Sequence, residues 1–142
     1  MNHFDRLIKM YLKAPINMLY PGIDLNVKEN EAVISLPAGK HYHHAGGSIH
    51  GSVYFRLLDD ACYFAAMSKM KDYFILTKSF NIELKRPHVD GEIKAVGKMI
   101  KEEKGEFYCE GELFNEAGKV IAIGSGVFVR NLKLPLEDVL TR

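Results

Sequence analysis

His50-Gly51-Ser52 opens a run whose apolar residues, among them Val53, Phe55, Leu57, Leu58, Ala61, Phe64, Ala65 and Met67, fall on every side of a helical wheel, yet Asp59 and Asp60 stand side by side inside it. An all-round apolar helix belongs in a core, where a carboxylate is costly unless it is paired or used. Pairing is available, since Arg56 stands three and four residues before the two acids, although arginine before aspartate is the weaker order on a helix. The other use is proton transfer or nucleophilic attack. At the start of the run, free backbone N–H groups and the positive end of the helix dipole favour negative charge, and Gly51, lacking a Cβ, leaves the backbone open to a ligand. The two chemistries do not meet on one helix. Asp59 lies eight residues beyond Gly51, about 12 Å at 1.5 Å per residue.

Four of the six histidines, His41, His43, His44 and His50, crowd into the loop before this helix. Their spacing includes no His-x-x-x-His on a helix and no acidic ligand at a telling distance, so polar lining of a pocket is expected rather than a metal site. His44 is the one whose neutral imidazole suits a hydrogen bond to a water or a carbonyl. Lys85-Arg86 is a basic pair at a strand end, able to hold phosphates or simply to face solvent. Tyr42, Tyr54, Tyr63 and Phe64 suit either a pocket lining or the core. Cys62 and Cys109 show no ligand spacing and are expected to be free, buried thiols of a reducing compartment.

The elements that must position these residues follow from periodicity. Phe4, Leu7, Ile8, Tyr11 and Leu12 mark a short amphipathic helix that Pro15 stops, and Ile23 to Lys28 with Ala32 to Pro37 read as a hairpin. The long helix spans Ile49 to about Lys69. Four strands follow, Phe74 to Arg86, Glu92 to Lys101, Glu106 to Asn115 and Val120 to Arg130, the first with Phe74, Leu76, Phe80, Ile82 and Leu84 on one face. Their short links, His88 to Gly91, Glu102 to Gly105 and Glu116 to Gly118, predict antiparallel neighbours. The tail, 131–142, carries no pattern. The expectation is one α+β domain over 1–142, a sheet curled around one helix.

The chain has 142 residues, 19 basic and 18 acidic, for a net charge of +1. That is enough for one core, with no global field to recommend nucleic acid or an anionic membrane. The N-terminus lacks the apolar stretch of a signal peptide and no segment has the length of a membrane span, so a cytoplasmic protein is expected.

With these elements in order, the chain resembles the hotdog-fold acyl-CoA thioesterases, in particular the phenylacetate-pathway (PaaI-like) type. The residues that carry the resemblance are His44-Ala45-Gly46-Gly47-Ser48-Ile49-His50-Gly51-Ser52, Asp59-Asp60-Ala61, and Phe80-Asn81-Ile82-Glu83-Leu84-Lys85-Arg86-Pro87. It extends from about Ile23 to Val129. His44 stands where the family usually has Asn, and Ser52 where it has a second Gly. The resemblance implies the hotdog fold and hydrolysis of a thioester to a free acid and coenzyme A, with no metal and no cofactor beyond the coenzyme A of the substrate. It implies Asp59 as general base or nucleophile, Gly51 and Ser52 at an oxyanion hole, and Thr77 holding a water beside the acid. His44, His50, Lys85 and Arg86 complete the candidate site, which leaves Asp60 to Arg56. Homodimers or tetramers with sites at the subunit boundary are implied too, and they answer the distance between Gly51 and Asp59. A hydratase or dehydratase on this fold, and an acyl-CoA sensor without catalysis, are the alternative functions.

Overall fold

The computed structural model describes all 142 residues. Helix α1 (His3–Lys13) is capped by Asn2, whose side chain accepts from the Asp5 N–H at 2.8 Å, and it ends before Pro15, where the chain turns through a 3₁₀ segment, Pro15–Leu19. The hairpin is β1 (Asp24–Lys28) and β2 (Glu31–Pro37). Helix α2 (Gly51–Met67) follows, then β3 (Tyr73–Leu84), β4 (Glu92–Glu103), β5 (Glu106–Phe114), β6 (Val120–Pro135) and a final short helix, α3 (Leu136–Leu140). One antiparallel sheet results, in the order β1-β2-β4-β5-β6-β3, with α2 packed on its inner face. This is the hotdog arrangement that the resemblance implies. No helix is long and apolar enough to cross a membrane.

Helix and sheet meet closely because the facing positions are small. A Cβ on Gly97 would stand 2.4 Å from the Ala61 carbonyl carbon, and one on Gly111 3.1 Å from Cys62 Sγ. Leu57, Leu58, Ala61, Cys62, Ala65, Ala66 and Met67 are thereby wholly enclosed, with Ile34, Leu36, Ile93, Ala95 and Phe128 from the strands. Both cysteines are buried and free, and burial raises both thiols well above their ordinary range.

Three sequence expectations are corrected. First, β3 and β4 are not neighbours: β3 pairs with β6 at the sheet edge, and β4 lies between β2 and β5. The link is a crossover spanning three strand intervals, about 14 Å at 4.8 Å each. Seven residues, 85–91, are enough to cover that distance, since they reach about 23 Å at full stretch. His88, 6% exposed, pins the crossover by a 2.8 Å bond to the Gly91 carbonyl. Second, the apolar face expected for β3 changes partway. Ile75 is fully buried while Leu76 and Leu84 are about half exposed, because pairing with β6 slips between Tyr73 and Ile75 and again between Thr77 and Ser79. Third, residues after Asn131 are ordered: β6 runs on to Pro135, and α3 docks through the buried Leu136, whose N–H donates to the Asp72 carbonyl at 2.9 Å.

Candidate active site

The candidate residues fall into two groups, one at the middle of α2 and one at its N-terminus. Asp59 points from the middle of α2 toward β3, where the Thr77 hydroxyl donates to Asp59 Oδ1 at 3.0 Å. The β-slip after Thr77 leaves that side chain on the helix side of the edge strand. Burial raises the Asp59 carboxyl to about 6; the Thr77 bond opposes the rise and the neighbouring Asp60 charge adds to it. A carboxyl so placed titrates near neutrality, as a general base requires.

Asp60 has a different environment. Its Oδ2 accepts from the Tyr11 hydroxyl at 2.8 Å and lies 3.3 Å from Arg56 Nη2. Arg56 also donates to Asn17 Oδ1 and to Tyr11 Oη, and lies over the Tyr20 ring at 4.2 Å from its centroid. One guanidinium nitrogen, Nη1, is buried without a partner. Burial raises the Asp60 carboxyl, against the pull of Tyr11 and Arg56. The Arg56–Asp60 pair was legible in the sequence. Tyr11, Asn17 and Tyr20 were not, since nothing local links them to α2.

At the N-terminus of α2, His50 is the N-cap: its Nδ1 accepts from the Ser52 N–H at 3.0 Å and stands 2.7 Å from Ser52 Oγ. Gly51 begins the helix, and a Cβ there would meet only the tip of Leu84, at 3.3 Å. His44 Nδ1 accepts from the Gly46 N–H at 2.9 Å, so its Nε2–H faces Ser48 Oγ at 3.0 Å, and both ring nitrogens serve the loop itself. His43 reaches the Val89 carbonyl at 2.6 Å, which ties this loop to the crossover. Nowhere do three His, Cys, Asp or Glu side chains converge as metal ligands would. Lys85 and Arg86 lie close by, because the Tyr54 hydroxyl of α2 donates to the Arg86 carbonyl at 2.8 Å; the Lys85 ammonium lies 3.5 Å from Glu83.

Only the first group faces a large cleft. Asp59 and Thr77 line a cavity of about 1060 Å³ together with Tyr63, Phe64 and Phe74, whereas Gly51, Ser52, His50 and His44 do not. Tyr63 and Phe64 therefore belong to a pocket, while Tyr42 stacks on Tyr20, centroids 5.5 Å apart.

The family model described as "Thioesterase superfamily" matches residues 46–122, more than half of the chain, and so includes Asp59 and Thr77 as well as His50, Gly51 and Ser52. The chain belongs to the thioesterase superfamily. Among solved structures, this thioesterase-superfamily chain is similar to the PaaI protein of the E. coli phenylacetic acid degradation operon, at 21% identity and a TM-score of 0.81, over 91% of this chain and 93% of that one. A mutant of the phenylacetic acid degradation protein PaaI from Thermus thermophilus matches at 20% identity and 0.74, over 82% and 99%. A thioesterase family protein from Silicibacter pomeroyi matches at 16% and 0.81, over 90% and 97%. Likeness at this identity establishes the shared fold. A search of curated proteins gave no significant match.

Proposed function

We propose that the chain is an acyl-CoA thioesterase in which Asp59 of one copy acts on a thioester carbonyl held at the α2 N-terminus of a second copy. The observation that carries the reading is Asp59 itself: a carboxylate raised to about 6 by burial, fixed by Thr77, at the wall of a large cleft in a member of this superfamily. As general base it takes a proton from water while the water oxygen attacks the carbonyl carbon. As nucleophile it attacks directly, and water then hydrolyses the mixed anhydride. In either route the carbonyl oxygen becomes an oxyanion facing the N–H of Gly51, since the Ser52 N–H expected to share that role is held by the His50 cap, and the C–S bond breaks to release the thiolate of coenzyme A.

Lys85 and Arg86 stand beside that N-terminus, which suits them to the phosphates of coenzyme A. His50 and His44 hold the surrounding loop in shape. No metal or cofactor has a part in this scheme. The test is purified protein with a panel of acyl-CoAs and a thiol reagent: wild type is expected to release thiol and Asp59→Ala to be slower by roughly 10²-fold or more. Equal rates would remove Asp59 from the mechanism.

A further inference from the structure

The cleft that holds Asp59 runs well beyond it. Met1, before α1, and Ile16, after it, both line the cleft, so it extends the length of that helix, about 16 Å at 1.5 Å per residue. Its inner wall is Tyr63 and Phe64, one turn along α2 from Asp59, with Leu76 of β3. Its outer wall is made by the two ends of the chain, Met10 from α1 and Leu140 from α3. These ends are fastened in place. Arg6 pairs with Glu137 at 2.7 Å, His3 Nε2 lies 2.8 Å from the Met67 carbonyl, and Leu7 and Leu136 are fully buried. Within the cleft, Leu76 and Ile16 remain 47% and 52% exposed, apolar surface left for something apolar to cover.

We infer that the cleft is the acyl-chain site and that the substrate class is acyl-CoAs with an extended alkyl chain of medium to long length. The inference rests on the thioesterase reading, since Asp59 at the inner end is where the thioester carbonyl would stand. An acetyl group would leave nearly all of the 1060 Å³ to water, although Met10, Phe64, Phe74, Leu76 and Leu140 line it, with Arg6, Lys9, Lys13 and Arg142 as the charged part of the rim. A single ring would fill only the part near Asp59. A groove as long as α1 matches an extended chain lying between α1 and β3 and ending at α3.

Hydrolysis of straight-chain acyl-CoAs from acetyl to palmitoyl tests this. We expect kcat/KM to rise about three- to fourfold per methylene until the cleft is full and then to level. A series flat or falling with length overturns the inference while leaving the thioesterase reading in place. If no acyl-CoA is cleaved, the thioesterase reading fails, and S-alkyl-CoA thioethers of the same lengths, titrated calorimetrically, still read the cleft. Affinity growing with length supports the assignment and equal affinities overturn it. Val139→Trp and Leu140→Trp fill the far end, and each should lower the ratio of palmitoyl to butyryl turnover at least tenfold. That ratio is independent of the fraction of folded protein, and an unchanged ratio in both variants overturns the inference.

Discussion

At the scale of single residues, Asp59 carries both a catalytic expectation and a cost. Its carboxyl is held near 6, above its ordinary 3.8, chiefly because the helix and β3 exclude water from the ionised form. The rate should therefore rise with pH through about 6 and level above it. Thr77→Val removes a hydrogen bond that favours the carboxylate, so the rising limb of the pH–rate profile should move to higher pH, with the plateau less affected. A raised carboxyl pKa also means that the folded state binds the proton more tightly than the unfolded state. The stabilising contribution is present below about 4 and is lost as pH climbs through 6. Asp59→Asn should accordingly melt higher than wild type at pH 7.5 and show little gain at pH 4, while losing activity. Thermal unfolding at the two pH values checks the sign. Asp59 could be singled out in the sequence because a carboxylate stood in an apolar helix, and the resemblance separated it from Asp60. The Tyr11 and Asn17 contacts to the Arg56–Asp60 pair were hidden, since they join α2 to residues more than thirty positions away and α1 buries only Leu7 and Tyr11.

At the scale of elements, α2 is where sequence and structure agree best, because an apolar wheel has only one stable place in a sheet protein. Its first turn depends on a histidine cap. His50→Ala should cost about 1 kcal/mol, and His50→Asn, which retains an acceptor for the Ser52 N–H, should cost little; urea midpoints distinguish the two. β3 is where sequence reading failed. Alternation along a strand predicts faces only while the register holds, and the extra residue between Thr77 and Ser79 puts Ile75, not Leu76, on the side of Phe80 and Ile82. The crossover was equally invisible. A four-residue link with Asp90-Gly91 has the look of a hairpin, and nothing local shows that β6, the last strand of the chain, lies beside β3 in the place expected for β4. The end of β6 was missed because none of its last residues is fully buried, Leu132 being 66% exposed, and the polar Asn131 rather than an apolar residue takes a half-buried place, so hydropathy carries no alternation there.

At the scale of the whole molecule, the proposed mechanism asks for two half-sites that one chain cannot join. Gly51 and Asp59 project from the same straight helix about 12 Å apart along its axis, and only Asp59 faces the cleft. The edge strand β3 offers the means of joining them: twelve residues long, unpaired on its outer side, with Leu84 about half exposed and Phe55 of α2 39% exposed. Such an edge is a template for another chain. If two β3 strands meet across a two-fold axis, their α2 helices run antiparallel and each Asp59 approaches the other copy's Gly51. Complementation tests this directly. Asp59→Asn disables one half-site. Gly51→Asp disables the other by placing a negative charge against the oxyanion, at a helix N-terminus where aspartate favours folding. Each variant alone should be nearly inactive. Co-expressed in equal amounts, half of the dimers would be mixed, each with one intact site of two, and activity should return to about a quarter of wild type. If both half-sites act within one chain, every dimer in the mixture keeps a defect in each site, and no activity returns.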